Sequence, residues 1–314
     1  MIAAFALLLG ALAAAWAVPR RLSVADLRRH DPAVLIVAWL LSMFGVLIAV
    51  VTGVVLLLLP SHGDVGVLLV SVHHCWSTIQ HGASPETEEF GGLVGVLAVV
   101  TLAVRLAVVA VRGIRRRART RQDHLATLRL AGRSDGGSPA TLWVAHERPL
   151  AFSIGGRRGV IVATEGLHRH LSGESVAAVL THERAHLTGR HHQLLAAADA
   201  LRAAFPVLPV FQQAPVALRE LVEIAADVTA TRAHGHAAVR AALLCMSERG
   251  APGTALAIAR DAVPPRLARL DRGTRPPGRV RRLIGCGAAG LAAALLPVTV
   301  AATSAVAAVI VACP

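Results

Sequence analysis

The sequence predicts a membrane α-helical protein with four transmembrane helices and an α-rich α+β domain inserted between the third and the fourth. Three observations support this prediction. The chain of 314 residues is 54% hydrophobic, which is high for a soluble protein. Its apolar residues form four long runs, and its arginines cluster at the ends of those runs. The less apolar segment between the third and fourth runs has the length of a domain.

The four apolar runs cover residues 1–18, about 33–60, about 92–111 and about 283–312. Each run is long enough to cross a hydrocarbon layer of about 30 Å as a helix. The first run contains Ala15-Trp16-Ala17, which resembles a signal-peptidase site. No positive residue precedes that run, so we expect a retained transmembrane helix rather than a cleaved signal.

Positive charge orients these helices. Arginines are concentrated in the loop 19–31 and in the segment 112–121, whereas the loop 61–91 contains acidic residues and no lysine or arginine. The positive-inside rule therefore places both termini outside and the inserted domain in the cytoplasm of a multi-pass protein. The resulting division is a three-helix transmembrane region (1–121) with an outer loop (61–91), a cytoplasmic domain (122–280) and a fourth transmembrane helix (281–314).

The net charge of +13 also raises the question of nucleic-acid binding. Aromatic residues make up only 3% of the chain, and a basic patch alone is weak evidence for such binding. Contact with anionic lipid explains arginines at helix ends more simply. We therefore expect the lipid bilayer as a partner and no direct nucleic-acid binding.

Residues His182-Glu183-Arg184-Ala185-His186 form the most informative motif of the inserted domain. On a helix, two histidines four residues apart lie on one face and can bind one zinc ion. Glu183 would lie beside them and could take a proton from a water molecule next to the metal. The alternative is a surface helix that carries two solvated histidines.

The residues around the motif favour a partly buried helix. Ser172 is a suitable N-cap residue and Glu174 suits the first turn. Val176, Val179, Leu180 and Leu187 provide an apolar face at helical spacing. His191 and His192 are expected to lie off the metal-binding face, so a second metal site is not expected.

A third ligand is predicted on the next helix, which we expect to begin near Pro215 and to end at Gly235. Glu223 and Asp227 are four residues apart and share a face. One carboxylate can bind the metal while the other accepts a hydrogen bond from a ligand histidine. Glu220 is the competing ligand candidate on the same face.

A His-Glu-x-x-His helix followed by a helix with Glu-x-x-x-Asp resembles the gluzincin membrane peptidases. These include the CAAX-protease and HtpX-like group and the BlaR/MecR-type signalling peptidases, and the resemblance covers about residues 120–240. It implies a gluzincin peptidase domain with one zinc ion per chain, bound by His182, His186 and Glu223. It also implies Glu183 as the general base and Asp227 as the carboxylate behind a ligand histidine.

Two further expectations follow from the resemblance. Residues 151–167 are similar to the family's hairpin, whose edge strand pairs with an extended substrate. The oxyanion that develops during cleavage needs a donor besides the metal, and the chain contains no tyrosine. Arg232, His234 and His236 are the candidate donors, because related families use a basic residue after the Glu-x-x-x-Asp segment.

The resemblance leaves the biological role open. In BlaR/MecR-type proteins a penicillin-binding domain follows the fourth helix, and no such domain is expected here. The expected partners are therefore protein or peptide substrates, among them a transcriptional repressor. The alternative is a non-catalytic signalling or interaction protein with a structural zinc site. A disulfide between Cys75 and Cys313 or two separate thiols are equally expected.

Overall fold

A computed structural model of the protein describes residues 2–23, 31–58, 132–156, 159–249 and 263–271, together with Gly285 and scattered residues between 97 and 119. The outer loop 61–91, most of the expected fourth helix, Cys75 and Cys313 lie outside the described residues. Statements about the fold below refer to the described part of the chain.

Two long apolar helices form the N-terminal region: α1 (Ile2–Ser23) and α2 (Pro32–Leu58). Asp31 caps α2, since its side chain accepts a hydrogen bond from the backbone N–H of Ala33 at 2.9 Å. The described residues between 97 and 119 are also helical. Within the described chain one helical stretch, Pro32–Val54, is long and apolar enough to cross a membrane.

A four-stranded mixed sheet opens the inserted domain. Its strands are β1 (Gly132–Ser134), β2 (Ala140–Val144), β3 (Ala151–Ile154) and β4 (Val160–Thr164), in the spatial order β1-β2-β4-β3. β2 and β4 are parallel, and β3 pairs with β4 in an antiparallel hairpin. This confirms the hairpin predicted at 151–167 and leaves β3 at an edge of the sheet.

Helices make up the rest of the described domain. They are α3 (Gly166–His170), α4 (Gly173–Thr188), α5 (His191–Ala204), α6 (Pro209–Arg249) and α7 (Val263–Asp271). Ser172 caps α4 as predicted, because its side-chain oxygen accepts a hydrogen bond from the backbone N–H of Ser175 at 3.2 Å. α6 is broken at Gly235, whose φ of 79° and ψ of 166° are not helical.

Helix α6 extends beyond the predicted boundaries. It begins at Pro209, six residues before the expected start at Pro215, and a second helical arm (236–249) follows the break at Gly235. The start of the helix was predicted at Pro215 because proline favours the first helical position. Here Pro209 lies at the start of the helix and Pro215 lies inside it.

One apolar core joins the N-terminal helices to the inserted domain. Trp39 and Met43 of α2 pack in the same buried cluster as Phe211 and Leu218 of α6. The segment 194–211 contributes Ala198 and Val210 to this cluster. A second core lies between the sheet, α4 and the second arm of α6, and contains Ala163, Leu167, Val176, Val179 and Ala242.

Candidate metal centre

The two helices predicted to carry metal ligands face each other. α4 presents His182 and His186 one turn apart, and the first arm of α6 presents Glu223 opposite them. The two histidine Nε2 atoms are 3.1 Å apart. Each lies 3.4 Å from a carboxylate oxygen of Glu223. Small buried residues of both helices, Ala178 on α4 and Ala226 and Ala230 on α6, allow this close approach.

These separations fit a tetrahedral zinc ion. Two ligand atoms bound at 2.0–2.1 Å in tetrahedral geometry are about 3.3 Å apart; here the two nitrogens are 3.1 Å apart and each lies 3.4 Å from a different oxygen of Glu223. Two imidazole nitrogens and one carboxylate oxygen are also a typical ligand set of a catalytic zinc, which leaves a fourth position for water or substrate. The residues present therefore fit the metal that the sequence predicts.

Asp227 fixes the orientation of His182. Its Oδ1 atom accepts a hydrogen bond from Nδ1 of His182 at 3.0 Å, so the Nε2 atom of that ring faces the metal site. Asp227 also accepts two hydrogen bonds from Arg266 of α7, at 2.6 Å and 2.7 Å. Arg266 was not predicted from the sequence, because no motif links it to the two helices.

His186 also has a neighbouring side chain, that of His191, which was expected to lie off the metal-binding face. Nδ1 of His191 lies 3.1 Å from Nδ1 of His186, and His191 is buried. We expected His191 off the metal face because we assumed that the helix continued past it. Instead α4 ends at Thr188, and Arg190 with a φ of 51° turns the chain into α5, so His191 folds back onto His186.

Glu183 is buried beside the metal ligands, at the wall of a cavity of about 460 Å³. Ser153 of β3 lines the same cavity as Glu183, and its Oγ lies 3.2 Å from Nε2 of His192. The edge strand therefore borders the cavity next to Glu183. The apolar part of the cavity wall includes Val179, Val239, Ala242, Leu243, Met246 and Val263.

Burial and neighbouring charges shift the pKa values of these groups in different directions. Burial lowers the pKa of His182, but Asp227 and Glu223 outweigh it and raise that pKa to about 10. Burial and the neighbouring His182 lower the pKa of His186 to about 3. Burial raises the pKa of Glu183, whereas His182 and Arg266 hold the pKa of Glu223 below its usual value despite burial.

Other predicted residues lie elsewhere. Glu220 is absent from both the cavity wall and the metal-binding group among the described residues, which favours Glu223 as the ligand. His234 contacts Glu174 at 2.7 Å and Thr181 at 2.9 Å. Arg232 lines a second cavity of about 300 Å³ that includes Asp31 and Thr181. The structure does not bring Arg232 or His234 to the metal site.

Comparison with known proteins agrees with this geometry over part of the chain. No curated protein and no solved structure matches the sequence. Residues 119–249, however, match the sequence model of peptidase family M48. This segment contains His182, Glu183, His186, Glu223 and Asp227. The match supports a metallopeptidase of family M48 in residues 119–249.

Proposed function

We propose that this protein is a zinc-dependent endopeptidase of the membrane, with one zinc ion per chain. The observation that carries the proposal is the arrangement of His182, His186 and Glu223 at the separations of zinc ligands, with Glu183 beside them in an accessible cavity. The family match over residues 119–249 supports the same chemistry. Zinc is favoured over magnesium or calcium because two of the three ligands are imidazoles.

Each residue of the site has a defined role in this proposal. When bound, zinc polarises a peptide carbonyl and acidifies an adjacent water. Glu183 accepts the proton of the attacking water and returns it to the leaving amine. Asp227 keeps the Nδ1 proton of His182 in place, so that the Nε2 lone pair is directed toward the metal.

The substrate is proposed to bind along β3. Within the described part of the chain this strand pairs with β4 on one side only, so its other edge can pair with an extended peptide. Ser153 lies on β3 and lines the same cavity as Glu183, so a peptide bound along β3 would lie close to the general base. An extended, unfolded or flexible segment of a protein suits such an edge better than a folded domain.

We further propose that the domain acts at the cytoplasmic face of a cell membrane. α1 and α2 each expose one apolar stripe at helical spacing: Leu9, Leu12 and Trp16 on α1, and Phe44, Ile48 and Val51 on α2. Lipid is the natural partner of such stripes. Four crossings, termini outside, and a repressor or a membrane-proximal protein as substrate are parts of this proposal, as in the HtpX-like and BlaR/MecR-type peptidases.

The test is to measure zinc content and hydrolysis of an unfolded protein with detergent-purified wild type and Glu183→Gln. Zinc should remain at one ion per chain in both, because Glu183 is not a ligand. Hydrolysis should fall about 10²- to 10⁴-fold in the variant, the usual contribution of a general base. Glu220→Gln, the same change away from the cavity, is the matched control and should keep its turnover.

The same experiment addresses the alternative of a structural zinc site. In a non-catalytic protein, wild type would bind zinc but show no chelator-sensitive hydrolysis, and Glu183→Gln would be indistinguishable from it. Absence of bound zinc in wild type would contradict the metallopeptidase proposal altogether. Arg232 and His234, the expected oxyanion donors, can be tested by separate alanine substitutions in the same assay. If turnover is unchanged in one of these variants, the substituted residue is not an oxyanion donor.

A further inference from the structure

The metal centre receives one side chain from a part of the chain outside the matched domain. Arg266 lies on α7 (Val263–Asp271), beyond residues 119–249 that match the peptidase family. Its side chain is only 13% exposed. It contacts two of the acidic residues of the site, and no sequence motif pointed to it.

The contacts of Arg266 are directional. Nε and Nη2 donate to the two oxygens of Asp227 at 2.6 Å and 2.7 Å, a two-point pairing that fixes the plane of the carboxylate. Nη1 lies 3.3 Å from Oε2 of Glu223. Because Oδ1 of Asp227 also accepts the hydrogen bond of His182, the guanidinium orients one ligand histidine through Asp227 and contacts the ligand Glu223 directly.

The charge balance of the site is a second reason to assign Arg266 to the metal centre. Three carboxylates line the cavity: Glu183, Glu223 and Asp227. A divalent metal ion supplies two positive charges, which leaves one negative charge uncompensated among three carboxylates of which two, Glu183 and Asp227, are buried. Arg266 is the only arginine or lysine among the described residues of the cavity wall. It therefore neutralises the remaining charge, whose burial without a partner would be costly.

We propose that Arg266 is a positioning residue of the metal centre, which holds Asp227 and Glu223 in the geometry that binds the metal. The inference rests on the proposed metallopeptidase function. It extends the metal centre to α7, so that the segment matching the peptidase family does not contain the complete site. Arg266 acts through the two carboxylates and is not itself a ligand.

The test compares zinc affinity in the detergent-purified full chain of wild type, Arg266→Gln, Arg266→Lys and Arg240→Gln, by competition with a chelator. Arg266→Gln should bind zinc about 10- to 100-fold more weakly, the range for partners behind a metal ligand. Arg266→Lys should recover part of that loss, because lysine restores the charge but not the two-point pairing.

Arg240→Gln is the matched control. Arg240 pairs with Asp271 of α7 at 3.0 Å on the exposed side of the helix, so its removal weakens the attachment of α7 without touching the site. Its zinc affinity should stay within about twofold of wild type. A loss equal to that of Arg266→Gln would show that only the attachment of α7 matters, and would overturn the proposal.

A second readout separates positioning from general destabilisation. The visible absorption of the cobalt-substituted protein depends on ligand geometry, and it should change in Arg266→Lys even where the metal-free variant melts like wild type. Unchanged zinc affinity and unchanged cobalt absorption in both Arg266 variants would overturn the inference alone. Failure of wild type to bind zinc would instead overturn the proposed function.

Discussion

At the scale of single residues, the metal centre places next to each other two imidazoles whose pKa values are shifted in opposite directions. The pKa of His182 is raised to about 10 because Asp227 and Glu223 outweigh the effect of burial, and the pKa of His186 is lowered to about 3 by burial and by His182. Without a metal, His182 therefore keeps a proton at neutral pH and His186 does not. A metal ion must displace that one proton to reach Nε2 of His182.

This difference predicts the pH dependence of zinc binding. Between about pH 6 and pH 9 the affinity should rise about tenfold per pH unit, because the metal-free form binds one more proton than the zinc form. As pH falls, protonated His182 competes with the metal and binding weakens. The measurement is a chelator competition at several pH values, corrected for the protonation of the chelator.

Asp227→Asn provides the comparison for this prediction. An amide oxygen can still accept the hydrogen bond of His182, but it no longer stabilises the imidazolium by charge. The pH dependence of zinc binding should therefore be shallower in this variant than in wild type. Equal slopes in the two proteins, or an affinity of wild type that does not change with pH, would contradict the assigned protonation of His182.

The residues of the site differ in how far the sequence could predict them. His182, Glu183, His186, Glu223 and Asp227 were predictable because helical spacing places each set on one face of a single helix. His191 was not, since its position depends on a left-handed residue at Arg190 that turns the chain back. Arg266 lies 39 residues beyond Asp227 along the chain, and only tertiary packing brings the two together.

At the scale of elements, the break at Gly235 determines the shape of the cavity. The first arm of α6 supplies Glu223 and Asp227, and the second arm supplies wall residues such as Leu243 and Met246. A straight helix could not place both arms around one cavity. The sequence predicted an end at Gly235, and the backbone does leave the helical region there, but the second arm that follows was not predicted.

Replacement of Gly235 by alanine should destabilise the domain. Its φ of 79° with ψ of 166° is a conformation that essentially only glycine adopts. Apart from the adjacent residues and the nearby backbone of α6, no atom of the described residues lies within 4 Å of the position where a Cβ would be added, so the penalty comes from the backbone and not from a clash. We expect the free energy of unfolding to fall by about 1–3 kcal/mol, measured by thermal and chemical unfolding in detergent.

Gly173→Ala is the matched control for Gly235→Ala. Gly173 lies in the first turn of α4, a Cβ there also meets open space, and its φ is not positive. Alanine favours the helix over glycine, so this variant should be as stable as wild type or slightly more stable. Equal destabilisation by both substitutions would show that the strain at Gly235 is not the cause.

At the scale of the whole molecule, the N-terminal helices and the inserted domain share one core. Trp39 and Met43 of α2 are buried with Phe211 and Leu218 of α6, while the opposite sides of α1 and α2 expose apolar residues. Hydropathy predicted these helices, but not that they pack directly on α6, the helix that carries Glu223 and Asp227. One face of α2 therefore binds the domain and another is available to lipid.

The exposed stripe of α2 can show whether this helix lies in lipid or in water, because a charged substitution has opposite effects in the two surroundings. Phe44 is 59% exposed and Ile48 is 47% exposed. If lipid covers them, Phe44→Asp and Ile48→Asp should each cost about 2.5–3.5 kcal/mol of insertion free energy, and less protein should remain in membranes washed with alkaline carbonate. In water the same changes would only increase solubility.

High salt should not release wild type, because apolar contact rather than its positive charge holds it in the bilayer. Release of wild type by salt, or membrane recovery unaffected by both substitutions, would contradict the transmembrane assignment of α2.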